Sequence, residues 1–292
     1  MIEFFKFPSA FGMRDASPFV LKLETYLRLA GIEYKTTEES DPRKAPKGKM
    51  PFIKDGDRTV ADSSIIISYL KDKYGDPLGK GLSAEQRAIG HAVKTMLEER
   101  TYWVLVNDRW MNPKNQPIIR DTWFGMIPGF MRGFIFGKII KDMKKGMEGH
   151  GIGKHSDEEI FEFGFADIKA FENILGDKPY LLGDSPSEYD AFPYALLANF
   201  MAEPFPNVIS DYISASKTLS SYIARVEKKA FVSVFLFWFP GLTRDPESKT
   251  QFFTWRAGSW VKPGNLFVLE GQFARLPQGF EQSNAGAADQ VK

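Results

Sequence analysis

Pro51 follows Met50 at the head of a short apolar run, and eleven residues later the chain reads Asp62-Ser63-Ser64. No other stretch narrows the possible folds so far. Proline has no N–H to give a sheet, so it belongs at the first position of a strand or on an edge. Phe52-Ile53 and Thr59-Val60 are short β-prone runs joined by Asp55-Gly56-Asp57, and Asp-Gly between apolar runs signals a hairpin. Asp62 and Ser63 are favoured helix caps. Ile65, Ile66, Ile67, Tyr69 and Leu70 supply the apolar residues of the helix they open, and Gly75 stops it. This order brings backbone donors and acceptors beside a carboxylate and two hydroxyls. That is equipment for holding a small, charged, peptide-like ligand.

Upstream, residues 2–7 read as a strand ended by Pro8, and residues 9–16 as a loop. Ser17-Pro18 opens a helix, since serine is a good N-cap and proline fits the first turn. Phe19, Val20, Leu23, Leu27 and Ala30 recur at helical spacing before Gly31, and residues 32–37 form a second strand. The unit is βαβ, with parallel strands and a right-handed crossover. Residues 40–48 are a loop or a poorly formed helix. The order is then β-α-β-loop-β-β-α in about 80 residues.

Past the glycine-rich break at 75–81 the texture is helical. Ser83 and Gln86 form a capping box for a helix to about residue 110, and Ser156 and Glu159 form one for a helix to about 175. Ser187 and Asp190 open a third, ending before Pro204, and residues 208–229 make a fourth. The expectation is an α/β domain over 1–80, an all-α domain over 83–230 and an extension over 231–292. The extension is aromatic without a clear period, and residues 283–290 read as disordered.

A chain of 292 residues is long enough for two such domains, and a net charge of +1 gives no reason to expect nucleic acid. No apolar run approaches the roughly 20 residues that span a bilayer. The start lacks the basic, then long apolar, pattern of a signal peptide, so a cytoplasmic location is expected. Zero cysteines exclude disulfides, thiolate metal sites and a cysteine nucleophile. His150 and His155 sit in a glycine-rich turn and no cysteine accompanies them, so no metal site is expected.

Ser17-Pro18-Phe19, Met50-Pro51, Asp62-Ser63, and the box at Ser187 and Asp190 after Gly183-Asp184, come in an order that resembles the cytosolic glutathione transferases. The resemblance covers residues 1–230. It implies a thioredoxin-like first domain and an all-helical second one. The run from Asp41 to Lys49, with Glu98-Glu99, Tyr102-Trp103 and Arg109-Trp110, is similar to the branch that contains the failed axon connections and metaxin-like proteins.

The resemblance implies glutathione as co-substrate, with Met50 and a cis Pro51 pairing with its cysteinyl unit. Asp62 and Ser63 would hold its γ-glutamyl group. Lys49 is either a partner of the glycine carboxylate or a solvated lysine. Ser17 is either the donor to the glutathione sulfur or only a helix cap, with Ser9 the alternative hydroxyl. With no cysteine in the chain, the reactive sulfur has to come from the ligand. Tyr102, Val106 and Arg109 share one face of the long helix, and Glu99, Trp103 and Trp110 another. One face lines a cleft for a small apolar electrophile, or both are core with an internal Glu-Arg pair. Asp190 is read as structural.

Residues 121–147 interleave aromatic and basic side chains, read as a lid over the cleft or a weak membrane-surface contact. By family likeness, the chain is expected to form a homodimer and to serve detoxification. The alternative function is a non-catalytic protein that binds glutathione or a partner on the same fold.

Overall fold

The computed structural model describes residues 1–231 and two further segments, Thr254–Arg256 and Ser259–Val261. Strand β1 (Ile2–Lys6) lies inside a four-stranded sheet of order β2-β1-β3-β4. It pairs parallel with β2 (Tyr34–Glu38) and antiparallel with β3 (Phe52–Asp55), which closes a hairpin with β4 (Arg58–Ala61). The Asp-Gly turn and the proline-headed strand are therefore as expected. The loop at 40–48 contains a single 3₁₀ turn, Pro42–Lys44, capped by Asp41.

Helices α1 (Pro18–Leu29) and α2 (Ser63–Tyr74) pack on this sheet. Val20, Leu23 and Leu27 of α1 and Ile66 and Leu70 of α2 join Phe4 and Ile53 in one core. Fully burying each such side chain contributes about 1.5–3 kcal/mol. Gly31 follows α1 at φ +68, a left-handed turn that glycine adopts without steric cost.

The helical region begins with α3 (Ala84–Met96), opened by the expected Ser83–Gln86 capping box. Its axis continues through α4 (Tyr102–Val106) to Met111, interrupted by π turns at Leu97–Thr101 and Asn107–Met111. Helices α5 (Gln116–Phe124), α6 (Gly129–His150) and α7 (Asp157–Leu175) follow. Gly164 of α7 sits where an added Cβ would lie 2.9 Å from Val104 and 3.0 Å from Ile209, so glycine is what lets α7 approach α4. Helix α8 (Ala191–Phe200) is almost entirely buried and packs against α1.

The single helix expected over 208–229 is two: α9 (Val208–Ala215) and α10 (Lys217–Phe231). Ser216 breaks it. Its backbone is extended, and its Oγ accepts the N–H of Leu219 at 3.1 Å, starting α10 anew. Residues 232–292 count as a separate unit, in which β5 (Thr254–Arg256) pairs antiparallel with β6 (Ser259–Val261). The reading of 283–290 as disordered falls outside the described residues.

Asp190 is structural, as expected. It is fully buried and accepts the N–H of Leu181 and of Ser187, each at 2.8 Å, and the Tyr222 hydroxyl at 3.1 Å. Asp190→Ala leaves these donors unpaired at about 1–3 kcal/mol each. Urea unfolding should show a loss of about 3–5 kcal/mol; an unchanged midpoint would contradict this role.

Candidate functional site

The sheet register gathers the three motifs. Phe5 pairs with Phe52, and Phe52 with Ala61. The C-terminal end of β1, the N-terminal end of β3 and the C-terminal end of β4 therefore coincide. From that one end leave the loop to Ser17, the Met50-Pro51 entry and the Asp62 cap.

Ser17 caps α1. Its Oγ accepts the Val20 N–H at 3.4 Å. Capping uses only a lone pair, so the hydroxyl proton is still available to a ligand. The cap and donor roles are compatible. Asp15 holds the loop from inside: it accepts the Phe7 N–H at 3.1 Å and the Ser17 N–H at 2.8 Å, and it is fully buried. Burial pushes its carboxyl up to about 7, against the pull of the Ser17 N–H and of Lys6. Ser9 is exposed, and its hydroxyl donates to the Arg14 carbonyl at 3.2 Å.

The Met50-Pro51 bond is cis. Among the described residues, neither the N–H nor the C=O of Met50 has a hydrogen-bond partner. Met50 itself is buried, and its unpaired backbone groups lie at the sheet end from which Ser17's loop leaves. Asp62 has φ +86, an unusual conformation for a residue with a Cβ that costs on the order of 1–3 kcal/mol. Its carboxylate accepts the N–H of Ser64 at 2.9 Å and of Ile65 at 3.2 Å while the residue stays exposed. Lys49 is also exposed.

Ser63 is buried against a group that sequence reasoning missed. The Lys22 ammonium donates to Ser63 Oγ at 3.2 Å, to Ser64 Oγ at 2.8 Å and to Glu98 Oε1 at 2.6 Å. Its side chain is 2% exposed. Burial lowers the Lys22 pKa, and Glu98 opposes the shift. The signal was a lysine set directly among Val20, Leu21 and Leu23.

The readings of the long helix need correction. Glu98 pairs with Lys22, not with an arginine. Val106 and Arg109 are each 3% exposed, so they do not line an open cleft. Arg109 donates to the Ala16 carbonyl at 2.8 Å, the Asn199 side chain at 2.9 Å and the Asn199 carbonyl at 2.6 Å. It fastens the residue before Ser17 to α8. Tyr102 packs edge-on against Phe19 in the first turn of α1, with ring centroids 4.8 Å apart.

Residues 121–147 pack only in part against the rest of the chain. Trp123 of α5 touches Phe11 of the Ser17 loop at 5.2 Å and Trp110 at 5.5 Å. Phe130 and Phe134 of α6 are instead 86% and 79% exposed. No helix among the described residues is long and apolar enough to cross a membrane, and no group of metal-ligating side chains occurs among them.

A mixed four-stranded sheet with a cis-proline at one end, followed by packed helices, is the thioredoxin-like plus all-α architecture of glutathione transferases. The chain belongs to the glutathione S-transferase family. The model of the family's N-terminal domain matches residues 18–115, and that of its C-terminal domain residues 164–226.

The chain is 34% identical over 245 residues to the isoprene-epoxide–glutathione S-transferase of Rhodococcus sp. strain AD45, covering 78% of this chain and 99% of that one. It is 32% identical over 243 residues to Failed axon connections of Drosophila melanogaster, covering 79% of this chain and 58% of that one. A glutathione S-transferase of Ceriporiopsis subvermispora, solved with glutathione, superposes with a TM-score of 0.56 at 20% identity, over 80% of this chain and 98% of that one.

Asp15 makes stability pH-dependent in a definite direction. Its folded pKa of about 7 lies above the unfolded value of about 3.9. Its contribution is therefore full below about pH 4 and declines by up to ~1.4 kcal/mol per pH unit as pH rises to about 7. Urea unfolding from pH 4 to 8 should show a shallower decline in Asp15→Asn than in the parent. Parallel profiles would contradict the assignment.

Proposed function

We propose that the chain binds glutathione and joins its sulfur to a small apolar electrophile, with Ser17 stabilising the thiolate. The observation that carries this reading is the uncommitted Ser17 hydroxyl proton at the sheet end shared with the Met50 backbone edge and the start of α2. The cysteinyl unit would pair with Met50 as an added strand. The γ-glutamyl carboxylate would meet the N-terminus of α2 at Ser63, and its ammonium the exposed Asp62. The exposed Lys49 would pair with the glycine carboxylate.

The sulfur would lie at the positive end of α1, where the helix dipole and one hydroxyl donor both favour the charged form. The Rhodococcus relative is named for isoprene epoxide, and the proposed electrophile is of that small, apolar kind. With an epoxide, a sulfur–carbon bond forms as a ring carbon–oxygen bond breaks, and the oxygen takes a proton from water. A homodimeric, cytoplasmic enzyme of detoxification is the corresponding family-level expectation.

The likeness to Failed axon connections supports a second reading, in which glutathione is bound but not used. Calorimetry beside turnover separates the two: binding without conjugation across a panel of electrophiles favours the second.

Under the leading reading, Ser17→Ala keeps glutathione affinity within about twofold. Its turnover falls about tenfold for each pKa unit by which the bound thiol rises toward ~8.5. Steady-state kinetics with a small epoxide and ultraviolet titration of the bound thiol check this. Unchanged turnover moves the chemistry away from Ser17.

A further inference from the structure

We infer that Lys22 is a positioning residue that makes the site selective for a free α-carboxylate on the γ-glutamyl residue; this rests on the glutathione-binding reading above. Lys22 projects from α1 to the start of α2, and its three ammonium protons have three acceptors: Ser63 Oγ, Ser64 Oγ and Glu98 Oε1.

The consequence lies in the hydroxyls. A serine oxygen that accepts from an ammonium has its lone pair turned inward, so its own proton turns away from the lysine. Both Ser63 and Ser64 are thus set as donors facing away from Lys22. Asp62 takes the N–H groups of Ser64 and Ile65. The N–H of Ser63 has no acceptor among the described residues. Two oriented hydroxyls and one free N–H are what a carboxylate accepts from, and a buried cation stands directly behind them.

Glu98 explains why the cation can be there. A lysine that is 2% exposed needs a counter-ion, and Glu98 reaches it from the π turn of the helical region with its own side chain 10% exposed. The pair is neutral together, so removing both members keeps the charge balance while removing the orienting cation. A ligand carboxylate is held by charge-assisted hydrogen bonds, each typically stronger than a neutral one. The selectivity is therefore for a carboxylate at this end of the ligand, not for its ammonium or its sulfur.

The test compares two ligands on two proteins. The ligands are glutathione and γ-aminobutyryl-cysteinylglycine, which is glutathione with its α-carboxylate replaced by hydrogen. The proteins are the parent and Lys22→Met/Glu98→Gln, with thermal unfolding to establish that the variant is folded. Titration calorimetry should show the parent preferring glutathione by about tenfold or more, the equivalent of one charge-assisted hydrogen bond. In the double variant glutathione should weaken by about that factor, the analogue should stay within about twofold, and the preference should vanish.

Equal weakening of both ligands would make Lys22 a structural bolt and overturn the proposal. So would an unchanged preference. If the variant unfolds, Lys22→Arg, which keeps the charge, replaces it, and the preference should then persist; its loss would overturn the proposal. A parent that binds glutathione poorly, or not at all, would instead remove the reading on which this one rests.

Discussion

Helix α1 meets almost no water from Pro18 to Leu27. The sheet covers one side and α8 another. An unpaired buried polar group costs several kcal/mol, so the polar side chains of α1 have to be met inside the protein, and all but the Tyr26 hydroxyl are met among the described residues. Thr25 donates to the Leu21 carbonyl at 2.7 Å. Glu24 takes Lys6 at 3.1 Å and the Tyr34 hydroxyl at 3.1 Å. Lys22 takes two serines and Glu98. The burial of one helix thus sets the position of the sheet, of the start of α2 and of the helical region at once, and Ser17 stands at its N-terminus.

The two π turns belong to the same constraint. The first carries Glu98 and the second Arg109, and each turns a charged side chain toward the first domain. A π turn adds a residue to the helical turn and often marks a functional position. Here the first holds α1 through Lys22, and the second holds the approach to Ser17, where Arg109 grips the Ala16 carbonyl, one residue before it. The helical region thereby fixes the loop that leads into Ser17.

Much of this was legible in the residues. Pro51, the Asp-Gly turn and Asp62-Ser63 have local meanings that survive folding, and they specified the hairpin, its register end and the helix start. Three capping boxes set helix beginnings because each is a short-range exchange of hydrogen bonds. What was not legible was tertiary. Whether Arg109 faces a cleft or the core was not legible, because helical spacing shows which residues share a face, not what the face meets. Lys22 was passed over because a helix buried all round has no polar stripe to betray it. Ser216 was read as helix interior because its hydroxyl's choice of the Leu219 N–H is a competition that periodicity does not see.

A structure with glutathione bound tests the central claim most directly. The account places the sulfur within about 3.0–3.5 Å of Ser17 Oγ, the cysteinyl backbone paired with Met50, and the γ-glutamyl carboxylate at Ser63. Glutathione seated in that clamp with its sulfur turned away from Ser17, or bound elsewhere on the chain, would contradict it.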